Sequence, residues 1–270
     1  MRPPGHHPGL AERIGAPAVL AAAARASESA RPDALISDPL AAALVSAPEL
    51  ARLADATAEL NGQVPALAAA HRQLTDYLAA RTHRFDAFCA DAAAAGIRQI
   101  VILASRLDTR AFRLSWPDDT IVFEIDRPNT LLYKAAALAG QAARPRARWR
   151  PVGVEPVATW PRALWNARFN HNEPTAWLVE GLVPMPAAEQ DALITEIDML
   201  SAAGSLLILD DSVGPHSGYN DPADWLTSRG WGVETVWSRD YLAELNRPVV
   251  NTGDELFELS ATFVTAEKIA

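Results

Sequence analysis

From Gln99 onward, short unbroken apolar runs rich in Val, Ile and Leu alternate with longer stretches of helical periodicity. A strand buried on both faces has no polar side, so it reads as a continuous run, and such runs separated by helices predict a parallel sheet covered on both faces. The predicted strands are 99–104, 120–126, 149–154, 175–180, 205–210, 232–237 and 256–265, seven in all. Helices are predicted at 128–140, 187–203 and 221–230; the first opens on a proline and closes on a glycine, as helix ends prefer. Upstream the pattern changes: 18–26, 40–47 and 67–95 are alanine-rich and helical, separated by Pro32, Pro39, Pro48 and Pro65, with no strand signal. A helical segment preceding such a sheet is expected to cover the carboxyl edge of the strands, where open sheets bind ligands. The expected division is a helical cap over 1–85 and a nucleotide-binding-type α/β sheet over 86–270, acting as one structural unit.

Composition narrows the class. The chain has 270 residues, 49% hydrophobic and 21% charged, the profile of a globular protein with one large core. A net charge of −9 disfavours non-specific nucleic-acid or anionic-membrane binding, which depend on clustered Lys and Arg. One cysteine, Cys89, excludes an intramolecular disulfide and fits a reducing, cytoplasmic setting; among Phe85, Phe88 and Ala90 it reads as a core residue. No apolar run approaches the roughly 18 residues of a membrane span, and MRPPGHHPGL lacks the layout of a signal peptide. No metal site is expected, and oligomeric state is unreadable.

The candidate chemistry gathers at strand ends. IVILASRLDTRAFRL (100–114) is a buried run breaking into a polar turn where a nucleotide-binding fold places a glycine-rich loop, and Ser105 and Arg106 stand there instead. Asp126 ends the second predicted strand, Glu155 follows the third and Glu180 ends the fourth. An acid about 20 residues beyond the first-strand turn suits ribose hydroxyls, a description that Asp126 fits. The alternative is that Asp126 caps the helix opening at Pro128, and Glu124 competes for the ribose role.

Five ordered segments, PDALISDPLAAALV (32–45), DYLAARTHRFDAF (76–88), AAAAGIRQIVILASRLDTRAFRL (92–114), VFEIDRPNTLLYKAAALA (122–139) and PTAWLVEGLVPMPAAEQDALI (174–194), resemble the S-adenosylmethionine-dependent methyltransferases related to leucine carboxyl methyltransferase, the actinobacterial variety that includes polyketide O-methyltransferases. The resemblance implies a class I methyltransferase, Rossmann-like sheet of seven strands, mostly parallel with the last antiparallel, and an N-terminal helical cap. It implies S-adenosyl-L-methionine as cofactor and a carboxylate or hydroxyl of a small molecule as acceptor, in secondary metabolism.

By the same resemblance Arg81 holds the cofactor carboxylate, and Ala104, Ser105 and Arg106 form the loop under its methionine portion, followed by Asp108. Asp126 takes the ribose hydroxyls, Glu155 stands near the adenine amine, and Glu180 faces the cofactor. The competing readings are that Arg81 is a solvated helix arginine and that Asp108 pairs with Arg110 or Arg113 near the surface. Three features depart from the family pattern: Arg106 occupies a position normally glycine, Glu155 replaces an aspartate, and EGLVPMP (180–186) lacks a usual tyrosine. The catalytic candidates are Glu180 and His216, the latter in DDSVGPHSG after the fifth predicted strand. The other expectation carried forward is a repurposed fold that no longer transfers methyl, serving as a natural-product cyclase, another catalyst or a non-catalytic binding partner.

Overall fold

The structure is a computed structural model that describes residues 9–63, 65–155, 159–182, 186–211, 221–249 and 261–269. Among the described residues seven strands form one sheet: β1 (Gln99–Leu103), β2 (Ile121–Asp126), β3 (Arg148–Gly153), β4 (Thr175–Leu182), β5 (Leu206–Asp211), β6 (Trp231–Trp237) and β7 (Thr262–Lys268). Their order is β3-β2-β1-β4-β5-β7-β6, with β7 antiparallel to both neighbours and the other pairs parallel. The sheet class, the strand count and the antiparallel last strand follow the expectation. Only the last strand moved appreciably: β7 continues to Lys268, and 256–260 of the expected range lie outside the described residues.

Period-two alternation explains the two cores. Ile100, Ile102, Val122, Ala176, Leu178, Ile208 and Phe263 point to one face, packing with Phe85, Phe88, Cys89 and Leu138. Val101, Leu103, Phe123, Ile125, Trp177, Val179, Leu207 and Leu209 point to the other, against Trp160, Leu164, Ile194, Ile197 and Leu226. Both faces are covered, which is why β1 is buried at all five positions and reads as an unbroken apolar run. Trp177, Trp160, Phe169 and Phe123 fill the second core with ring centroids 5.6–6.0 Å apart, Phe123–Phe169 and Trp160–Trp177 edge to face and Phe169–Trp177 tilted.

The helices that cover those faces are α1 (Leu10–Ile14), α2 (Ala16–Ser29), α3 (Ala41–Leu44), α4 (Pro48–Gln63), α5 (Pro65–Ala94), α6 (Arg110–Arg113), α7 (Pro128–Gly140), α8 (Trp160–Asn166), α9 (Ala187–Met199), α10 (Pro222–Ser228) and α11 (Ser238–Glu244). Helix α7 has the expected bounds. Helix α9 stops four residues before the expected end, because the chain turns at Gly204, at φ +79°, to enter β5. Helix α10 starts one residue late, since Asp221 is its cap and accepts the Ala223 N–H at 2.8 Å. Helix α5 runs unbroken across the boundary expected at 85/86, so cap and sheet share one helix.

Candidate functional site

At the carboxyl ends of β1 and β4, with α2 and α5 above them, lies a cavity of about 310 Å³. Its walls include Arg25 of α2, Arg81 of α5, the loop from Ala104 to Asp108, and Glu180 and Gly181 of β4. The cap thus covers the strand edge, as expected. Six of the expected site residues, Arg81, Ala104, Ser105, Arg106, Asp108 and Glu180, line this one space.

The loop is built on left-handed backbone. Ala104 has φ +50° and Arg106 φ +45°, each costing about 1 kcal/mol without a glycine's freedom. What holds it is local: the Ser105 N–H donates to the Ile125 carbonyl at 3.1 Å, and the Arg106 N–H donates to Asp126 Oδ2 at 2.5 Å. Asp126 also accepts the Arg127 N–H at 2.6 Å and makes no cap to α7, whose N-cap is Arg127. The capping alternative is therefore corrected. Glu124 is corrected too: it is fully buried and paired with Lys134 of α7, and it does not line the cavity.

Arg81 is no solvated helix arginine. Its Nε lies 3.2 Å from Glu180 Oε1 and its Nη1 3.2 Å from Asp210 Oδ2. Burial alone would lower its pKa, but Asp210 and then Glu180 outweigh it and raise the guanidinium above its ordinary value. Asp210 also accepts from the Tyr77 hydroxyl at 3.0 Å and from the Gly181 N–H at 2.5 Å. The pairing of β4 with β5 shifts register between Val179 and Leu182, and Gly181 at φ +69° supplies the conformation this irregularity needs. A Cβ on Gly181 would meet Arg81 Nη1 at 3.4 Å.

Asp108 pairs with Arg110, but in the interior: Arg110 is 2% exposed. Arg110 also bonds Asp86 Oδ1 at 2.8 Å and Glu180 Oε2 at 2.6 Å, so three carboxylates meet at one guanidinium. Burial would raise the Glu180 carboxyl, but Arg110, then Arg81 and Arg25, hold it at about 2. The array continues outward, with Arg113 on Asp86 at 2.6 and 2.7 Å and Arg25 on Asp38 at 2.8 Å. The sequence reading left Arg25, Asp38, Asp86 and Asp210 out of the site. Only Asp210, ending a predicted strand, carried a signal, the same one that singled out Asp126 and Glu180.

The remaining expected residues lie apart. Glu155 is exposed beyond β3 and does not line the cavity. His216 lies outside the described residues, as do His6 and His7. His83 Nδ1 is 2.7 Å from the Tyr241 hydroxyl, and His171 packs on Trp165, both away from the cavity walls. Cys89 is 1% exposed in the core. Among the described residues no three of His, Cys, Asp and Glu are placed to hold a metal.

The cavity walls suit a ligand with an amino-acid end and polar groups. Ser105 Oγ is buried with no hydrogen-bond partner, an unmade bond on the wall itself. Guanidinium and carboxylate groups flank it, matching a zwitterion such as the methionine portion of S-adenosylmethionine, so the residues fit that group.

A family model described as leucine carboxyl methyltransferase matches residues 18–198. A protein of Mycobacterium sp. (strain KMS) assigned as an S-adenosyl-L-methionine-dependent methyltransferase is 54% identical over 261 residues, covering 97% of this chain and 96% of its own. A Mycobacterium avium (strain 104) protein with the same assignment is 44% identical over 271 residues, covering 89% and 86%. A solved structure from Thermobifida fusca YX, assigned as a methyltransferase, matches at TM-score 0.55 and 16% identity over 86% of this chain and 94% of its own, a likeness of fold.

Proposed function

The chain belongs to the leucine carboxyl methyltransferase family, and we propose that it transfers methyl to an oxygen of a small molecule, a carboxylate before a hydroxyl. It is an S-adenosyl-L-methionine-dependent methyltransferase by that membership. S-adenosyl-L-methionine supplies an activated methyl group when bound. The protein's share is then alignment and the exclusion of water.

One observation favours a carboxylate acceptor: the carboxylates on the cavity wall are engaged by arginines. Glu180, held at about 2 and tied to Arg110 and Arg81, is an anchor and a poor general base. Asp108 is bound to Arg110 in the same way. An acceptor already ionised at neutral pH needs no base, whereas an alcohol would be helped by one. Arg81 and Ser105 would flank the amino-acid end of the cofactor, with Asp126 at the ribose hydroxyls and Glu155 at the adenine amine.

Secondary metabolism in the cytoplasm belongs to the same proposal, with a small molecule as the partner. A cavity of about 310 Å³ suits a small-molecule partner, and the net charge of −9 disfavours nucleic acid as one. The repurposed-fold reading has its own support, the Arg106 side chain on the cavity wall.

Calorimetry with S-adenosylmethionine and S-adenosylhomocysteine, followed by methyl transfer to a panel of carboxylic acids and phenols, separates the two. Binding of both ligands and a base-labile methyl ester as product are expected. Failure of both to bind would overturn the cofactor reading, and binding without transfer to any acceptor would favour the repurposed fold.

A further inference from the structure

Arg106 is the anomaly of the cavity. Among the described residues its guanidinium makes no hydrogen bond and no ion pair within 4.0 Å, although the residue is only half exposed and its backbone N–H is held by Asp126. An arginine has five N–H donors, and since none of these is spent on another described residue they stay open to a ligand that enters the cavity. The acids nearby are occupied. Asp126 accepts two backbone N–H groups, Glu180 serves Arg110 and Arg81, and Asp210 serves Arg81, Tyr77 and Gly181.

Arg81 presents donors whose charge is already compensated by two carboxylates, so an incoming anion there also meets Glu180 and Asp210. Arg106 presents uncommitted charge. Burial lowers its pKa, the Asp126 charge raises it and the neighbouring Arg81 lowers it, yet a guanidinium stays protonated at neutral pH. Beside it Ser105 Oγ is buried and without a partner. Two adjacent residues thus present groups at one wall that the protein itself does not engage, one of them buried.

We infer that the Arg106 guanidinium, with Ser105 Oγ, holds the carboxylate at the amino-acid end of the cofactor, a task the loop's backbone alone would not perform with glycine at this position. The inference rests on the cofactor reading above. A guanidinium fork on a carboxylate is bidentate and directional, and it turns a strained side chain from an obstruction into a ligand.

The test uses the full chain, S-adenosylhomocysteine and 5′-methylthioadenosine, which lacks the amino-acid end, with affinities read by calorimetry. Arg106→Gly relaxes a positive φ and is expected to fold with a thermal midpoint at or above that of the unaltered chain. It is expected to bind S-adenosylhomocysteine about tenfold or more weakly, while its affinity for 5′-methylthioadenosine stays within about threefold. Arg106→Lys, a point charge without the fork, should fall between. If Arg106→Gly binds S-adenosylhomocysteine as tightly as the unaltered chain or more tightly, the assignment is overturned and Arg106 is an obstruction or an acceptor contact. If neither ligand binds the unaltered chain, the cofactor reading falls and takes this inference with it.

Discussion

The two halves of the strand edge are built differently. Over β1, β4 and β5, where α2 and α5 lie above the sheet, charge is dense, buried and mutually engaged around Arg81, Arg110, Glu180 and Asp210. Over β2 and β3 the acids bond backbone or stand in solvent: Asp126 holds two N–H groups and Glu155 is exposed. The difference shows that an acid at a strand end does not have one meaning. Under the cap it is a structural anchor that shapes the cavity, and outside the cap it braces backbone or faces solvent. Arg106 stands at the border, its backbone tied to the open half and its side chain on the covered half.

The largest expected effect is at Arg110. Arg110→Met keeps the apolar volume but leaves Asp86, Asp108 and Glu180 without their shared cation, and removing one partner of a buried ion array costs about 3–5 kcal/mol. Asp119→Ala, breaking the exposed pair with Arg98, should cost about 0–1 kcal/mol. Urea unfolding of both variants checks the contrast. Similar losses would show that the covered half is not a buried array in solution.

Glu180→Gln should follow. Its carboxyl falls from its ordinary 4.5 to about 2 in the folded chain, burial opposing and Arg110, Arg81 and Arg25 prevailing. A depressed carboxyl stabilises above the unfolded pKa, and that contribution fades as pH falls through the folded value, so the unaltered chain gains about 3 kcal/mol from it at neutral pH. The variant should be less stable by about that amount at pH 7, with the gap closing between roughly pH 4.5 and pH 2. A gap independent of pH would mean that the loss is packing and not charge.

These anchors mark the limit of what the sequence shows. The strands were legible because β1 and β5 are buried on both faces and announce themselves as apolar runs. Helix α7 was legible because proline and glycine mark its two ends. Helices α8 and α11 were missed, each being seven residues with too few turns for a period to emerge, and so was the sixteen-residue α4, which lies between the segments read as helical. The family resemblance placed six residues in one cavity. It did not reveal that Arg81 meets Asp210 or that Arg110 meets Glu180, since pairs 129 and 70 residues apart leave no local pattern. That Arg106 stands in a position normally glycine was legible, whereas its positive φ and its lack of a side-chain partner among the described residues needed the structure.

The smallest expected effects are on the open half. Asp126→Asn keeps one acceptor but turns an amide toward the second N–H, loosening the loop at Arg106 by about 1–2 kcal/mol. Glu155→Gln removes only an exposed charge and should alter stability by less than about 0.5 kcal/mol. Both should weaken nucleoside binding if these acids take the ribose and adenine, Asp126→Asn more strongly, because it also disturbs the loop. Measuring adenosine affinity with stability in each variant makes the contrast decisive. A loss of affinity at Glu155 without loss of stability marks a ligand contact, whereas unchanged affinity at both positions would show that the open half holds no nucleoside.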